Sequence, residues 1–221
     1  MSSLLRRGVW WAADYAYAGV WQARAFFNRT DAASFRTGTE TPIVVIPGVY
    51  ETWKFLQPLV AQLHADGHPV HVMEQLRYNR RPVPEMAEHV EAHLEEHDLT
   101  DVVIVAHSKG GLIGKQVMIG ASTHRVRGMV AIATPFGGSR YAQLMVLPTL
   151  RIFRPHNATI VALGLQRAAN AQIVSIYGEF DPHIPEHSEL AGATNIMLDT
   201  GGHFRILAHP RVLAEVRKLA K

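Results

Sequence analysis

The sequence predicts an α/β domain built on a parallel sheet, and three observations carry that prediction. From Pro42 onward, short apolar runs alternate with amphipathic stretches, as successive strand–helix units require. The apolar runs are β-branched and lack polar alternation, so both faces of each strand are expected to be covered. The length of 221 residues, with 48% hydrophobic side chains, suits one domain with a full core.

The first forty residues (1–40) stand apart as a lead-in to a domain over 41–221. Arg6 and Arg7 precede an aromatic run that crudely imitates a secretion signal, with Ala-x-Ala at 16–18. Asp14 interrupts the apolar region, and the run is too short and too polar to span a bilayer. An amphipathic helix is expected instead, with Val9, Ala12, Ala13, Ala16, Val20 and Ala23 on one face. Three roles stand open for it. It packs on the domain, it touches a membrane surface through Trp10, Trp11, Trp21 and the arginines, or it is a cleaved signal. The location is accordingly cytoplasmic or peripheral to a membrane, with secretion left open.

Along the domain, 43–46 is a β-branched strand ended by Pro47 and Gly48. Leu56, Leu59, Val60 and Leu63 follow at helical spacing, with Gly67 as a stop. Val70 and Val72 mark a second strand. The stretch 84–97 reads as a helix with Met86, Val90 and Leu94 on one face and a solvated acidic face opposite. The clearest strand is 102–106, followed at once by helical sequence from Lys109 to about Gly120. Further strands are expected at 129–132, 173–177 and 195–198, with a closing helix at 210–219. An insert of about forty residues, with a cap insertion at roughly 136–170, separates the strands ending near Ala133 and starting near Ala171.

Composition narrows the function classes. A net charge of +3, with no basic run carrying interleaved aromatics, predicts no nucleic-acid partner. The absence of cysteine excludes disulfides, thiolate metal sites and cysteine nucleophiles. The thirteen histidines look scattered, without HExxH or comparable ligand spacing, so no metal and no cofactor is expected.

The chemistry is expected at Ala106-His107-Ser108-Lys109-Gly110-Gly111, between the clearest strand and a helix. A serine hydroxyl is a poor nucleophile unless a base takes its proton and the backbone presents it uncrowded. A tight strand-to-helix turn presents it, but strains its dihedrals and demands small residues two before and two after. Ala106 and Gly110 meet that demand. The turn also puts Ser108 at a helix N-terminus, where free N–H groups favour a developing oxyanion.

With these residues the sequence resembles the α/β-hydrolase superfamily, and in particular small bacterial lipases and esterases with an Ala-His-Ser-x-Gly-Gly elbow. The resemblance runs from about Pro42 to the C-terminus. It rests also on Gly178-Glu179-Phe180-Asp181-Pro182-His183-Ile184-Pro185 after a strand, on Gly202-His203-Phe204 after the last strand, and on Thr134-Pro135-Phe136-Gly137-Gly138-Ser139. It implies a three-layer α/β-hydrolase fold with a mostly parallel central sheet and a short cap insertion. It also implies Ser108 as nucleophile, His203 as base and Asp181 as the acid that orients it. His183 and His187 are rivals for the base, Glu179 and Asp199 for the acid, and His107 reads as a packed neighbour. The oxyanion donors expected are the backbone N–H of Lys109 and, by similarity to the small lipases, that of Val49.

The Lys109 side chain opposes the helix dipole, so it is expected either to pair with Glu51 or Glu74 or to meet an anionic substrate. In the superfamily, inserts at the position of 136–170 form caps, and the apolar residues here either line the site or complete the core. Tyr50, Trp53 and Phe136 are the expected wall of an acyl pocket. The expected function is a serine esterase, lipase-like, acting on small-molecule or lipid carboxylic esters with an apolar acyl group. The alternatives are a thioesterase or amidase with the same triad, or a non-catalytic binding protein on this fold. Serine at the elbow argues against the dehalogenase and epoxide-hydrolase branches, which use aspartate there.

Overall fold

The computed structural model describes residues 3–221. Six strands, β1 (Ile43–Ile46), β2 (Val70–Val72), β3 (Val102–His107), β4 (Val126–Ile132), β5 (Ile173–Phe180) and β6 (Thr194–Gly201), form one sheet in the order β2-β1-β3-β4-β5-β6. Every adjacent pair is parallel. The helices are α1 (Ser3–Phe27), α2 (Gln57–Ala65), α3 (Val83–Glu96), α4 (Lys109–Ile119), the short α5 (Pro148–Arg151) and α6 (Ala158–Leu165) of the insert, and α7 (Pro210–Leu219).

Successive residues of a strand point to opposite faces, and this splits the apolar runs between two cores. Val44, Ile46, Ile104 and Ala106 meet Val90 and Leu94 of α3 and Leu112 and Val117 of α4. Ile43, Val45, Val103 and Val105 meet Leu59 and Leu63 of α2 and Val212 and Val216 of α7. Three layers result. β5 and β6 run several residues past the predicted 173–177 and 195–198. Their backbone ladders continue through Gly178–Phe180 and Asp199–Gly201, where apolar side chains no longer run in succession.

The chain leaves β1 for β2 on one side and returns to β3 on the other. A crevice therefore opens between the carboxyl ends of β1 and β3, where ligands bind in open α/β sheets.

The N-terminal helix packs on the domain, but not through the predicted face. Val9, Ala12, Ala16, Val20 and Ala23 are exposed, whereas Trp10, Asp14, Tyr17, Trp21 and Ala25 turn inward. Tyr17 and Trp21 pack on the α2-side core, and Tyr17 meets Phe55 edge-on at 6.3 Å. Trp10 covers Gly201, where an added Cβ would lie 2.5 Å from the indole. Arg6 pairs with Glu179. A small-residue stripe loses to an aromatic one because the large rings bury more area. No described helix is long and apolar enough to cross a membrane.

Candidate active site

Ser108 sits at the β3-to-α4 turn with φ 52° and ψ −119°, a region costly for any L-residue. The glycines that follow make the turn possible. A Cβ on Gly110 would lie 2.3 Å from the Ile46 carbonyl oxygen, and one on Gly111 2.0 Å from Thr134 Oγ1. The Ser108 N–H donates to the Ile132 carbonyl at 2.8 Å, tying the turn to β4.

Three side chains distant in sequence then form one hydrogen-bonded row. His203 Nε2 lies 2.9 Å from Ser108 Oγ, and His203 Nδ1 lies 2.8 Å from Asp181 Oδ2. The other Asp181 oxygen accepts the N–H groups of His183 at 2.7 Å and Ile184 at 3.0 Å. Burial pushes the Asp181 carboxyl up, but the charge and hydrogen bond of His203 and the backbone N–H of His183 outweigh it and hold it at about 2. Burial pushes His203 down, but the adjacent Asp181 carboxylate outweighs it and raises the imidazole above its ordinary value. Such a row can take a proton from the hydroxyl and hold the resulting imidazolium.

The rivals lie elsewhere. Glu179 is engaged by Arg6, Asp199 is exposed, and His187 stands against Tyr177 with ring centroids 5.9 Å apart. His183 is close but in another role. Its ring stacks on that of His203 at 4.7 Å and 13°, and its Nε2 is 2.9 Å from the Tyr15 hydroxyl of α1. Burial and the neighbouring His203 lower it to about 4, so it stays neutral as a flat wall against the His203 ring.

The N-terminal helix supplies a contact that sequence reading missed. Asp14 is fully buried, and its carboxylate accepts the backbone N–H groups of His203, Phe204 and Arg205 at 2.9, 2.8 and 2.7 Å. The loop carrying His203 is thus held by a residue from the far end of the chain. A lone acid inside an aromatic run was the available signal. His107, read as a packed neighbour, supports the same loop: its Nε2 donates to the His203 carbonyl at 2.9 Å, while Nδ1 is 2.9 Å from Glu51 Oε2.

Glu51 Oε2 also accepts the Gly48 N–H at 2.7 Å, which leaves the Val49 N–H as the donor of that loop without an acceptor among the described residues. The Lys109 N–H opens α4, where no intrahelical acceptor exists. β1 and β3 are paired neighbours, so the two donors share one edge.

The Lys109 side chain departs from expectation. It is fully buried, and it meets neither Glu51, Glu74 nor the pocket. Its ammonium donates to the carbonyls of Asn79, at 2.8 Å, and Arg81. Asn79 Nδ2 in turn donates to the Pro47 carbonyl at 2.8 Å, so the lysine braces the loop beside Val49. Burial lowers its pKa to about 8.

A pocket of about 360 Å³ opens over Ser108 and His203. The insert lines it with Met145, Leu150 and Phe153, and Tyr50 lines it from the β1 loop while bonding Thr149 of α5. Trp53 and Phe136, expected on this wall, are not part of it. Trp53 is buried on the α2 side against Phe35, and Phe136 is buried in the α4-side core beneath the insert. Both are large apolar rings next to a core that can take them, and burial there excludes more water than a pocket wall does. The insert therefore both lines the pocket and completes the core.

The expectation of scattered histidines also fails at one place. His71, His93 and His97 gather with ligand nitrogens all within 4.8 Å of one another, and His93 and His97 are one helical turn apart in sequence.

The row predicts a pH dependence. With His203 as the base of such a row, reaction would need its neutral form, so kcat/KM should rise with pH through an apparent pKa above histidine's ordinary ~6.5. Asp181→Asn removes the charge that raises it, so a pH–rate profile should show this limb moved to lower pH, with kcat depressed. An unmoved limb would remove Asp181 from the row.

No protein-family model matches the chain, and no curated protein does. Solved structures do. A Bacillus licheniformis lipase in its mature form is 16% identical and superposes with a TM-score of 0.67, over 88% of this chain and 95% of that one. A monoacylglycerol lipase of Paleococcus ferrophilus is 16% identical with a TM-score of 0.61, over 83% and 96%. A thermophilic esterase of Thermogutta terrifontis is 16% identical with a TM-score of 0.59, over 84% and 92%. Likeness at this identity establishes the fold.

Proposed function

From its α/β-hydrolase fold, we propose that the chain is a serine hydrolase that cleaves carboxylic esters with an apolar acyl group through an acyl-enzyme. The observation that carries this reading is the row Ser108–His203–Asp181, bonded at 2.9 and 2.8 Å under an apolar cavity.

The geometry supports the following course. Ser108 Oγ attacks the acyl carbon as His203 Nε2 takes the hydroxyl proton, and the carbonyl π pair moves to oxygen. The Val49 and Lys109 N–H groups lie at the edge where that oxyanion forms, and each such donor contributes about 3–4 kcal/mol in other serine hydrolases. The C–O bond to the alcohol then breaks as His203 returns the proton to the leaving oxygen. Water attacks the acyl-enzyme by the same route and releases the acid. No cofactor enters these steps.

Met145, Leu150, Phe153 and Ile184 favour an acyl chain over a charged group. Leu144 and Val146, exposed on the insert, support a lipid ester presented at a surface. The test pairs a fluorophosphonate probe with a series of p-nitrophenyl esters. Covalent labelling of Ser108, lost in Ser108→Ala, with turnover highest at intermediate chain lengths, is expected. Labelling without turnover of any ester would turn the reading to thioesters or amides. Absence of labelling would leave a binding protein on a hydrolase fold.

A further inference from the structure

We propose that His71, His93 and His97 form a binding site for a divalent transition-metal ion of the zinc class, apart from the serine pocket. The site follows from the register of the fold. In β2, Val70 and Val72 face the α2-side core, so alternation turns His71 to the opposite face, toward α3. His93 lies in the last turn of α3 and His97 caps it four residues on, which sets their rings side by side along the helix, tilted at 58°. The ring centroids are 4.3 Å apart for His93 and His97, and 5.3 Å from each to His71.

One feature sets this group apart. His71 Nδ1 and His93 Nε2 are hydrogen-bonded to each other at 3.2 Å. A tetrahedral ion with metal–nitrogen bonds of about 2.0–2.1 Å holds its ligand nitrogens about 3.3–3.4 Å apart. The pair thus already has nearly the spacing of shared ligands.

His71 and His93 are both buried, and the ligand nitrogens of all three rings lie within 4.8 Å of one another. Arg36 adds positive charge nearby and Glu96 negative charge. His97 is partly exposed, which gives an ion a way in and leaves room for water as a fourth ligand. None of the three lines the cavity over Ser108.

The test uses the full chain, stripped with chelator and titrated with Zn²⁺ alone by calorimetry, with Co²⁺ as a spectroscopic probe. One equivalent should bind, and Co²⁺ should give the visible bands of four-coordinate geometry. A hundredfold excess of Zn²⁺ over Kd should raise the melting temperature by about 5–10 °C. His97→Ala, at a partly exposed position, should weaken binding by about 100-fold and abolish the rise, and His97→Gln should do the same should alanine fail to fold. His203→Ala should bind as the wild type does. Absence of binding at submillimolar Zn²⁺, or binding that survives loss of His97 and vanishes with His203, overturns the assignment.

Discussion

Ser108→Ala is expected to lower kcat on ester substrates by on the order of 10⁴–10⁶, with the melting temperature nearly unchanged. Among the described residues the side chain hydrogen-bonds only His203 Nε2, so its removal leaves just one ring nitrogen without its partner. The elbow itself is secured by the backbone, through the Ser108 N–H on the Ile132 carbonyl and by Gly110 and Gly111. Serine and imidazole act as one unit, so His203→Ala should be as damaging, and the double variant little worse than either alone. Kinetics on the three variants, with a thermal melt of each, make the measurement. A Ser108→Ala enzyme retaining more than about one per cent of turnover would assign the nucleophile elsewhere.

Asp14→Ala should have the next largest effect, although Asp14 touches no reacting atom. It is a positioning residue: one buried carboxylate holds three consecutive backbone N–H groups at the loop bearing His203. Hydrogen bonds to a charged group contribute about 1.5–3 kcal/mol each, and alanine would leave one buried and two part-buried donors without their acceptor, so a stability loss of about 3–5 kcal/mol is expected by denaturant unfolding. A loop freed by even 1 Å can cost about 10²-fold in rate, so kcat should fall about 10–100-fold with KM little changed.

A readout beyond stability comes from pH. The Asp14 charge is among those that raise His203, so its loss should move the acid limb to lower pH. Asp14→Asn keeps an oxygen for two of the donors and should fall between wild type and alanine in stability, with the limb shifted as in alanine. A stable Asp14→Ala enzyme with normal kcat and an unmoved limb would remove α1 from the catalytic apparatus.

How much of this was visible in the sequence follows from the range of the interactions involved. The strands showed as β-branched runs because burial on both faces leaves no polar alternation, and β1 and β3 are buried throughout. The elbow showed because its constraint is local: a turn bringing α4 against the Ile46 carbonyl admits only a minimal side chain at Gly110. Asp181 and His203 were reachable because they follow strands at the same sheet edge, where chain order and resemblance alike point.

The tertiary structure alone decided which face of α1 packs. Periodicity reports where apolar residues gather but not what they will meet, and the winning face carries Asp14, whose partners lie 189 to 191 residues away. The same holds for Lys109, satisfied by carbonyls of another loop rather than by a carboxylate. It holds for Trp53 and Phe136, drawn into cores rather than into the pocket. It holds also for His71, which joins His93 and His97 only because β2 turns it toward α3. Local backbone demands are written in neighbouring residues, whereas a buried polar group is satisfied by whatever the packed chain brings within about 3 Å, and that distance exists only after folding.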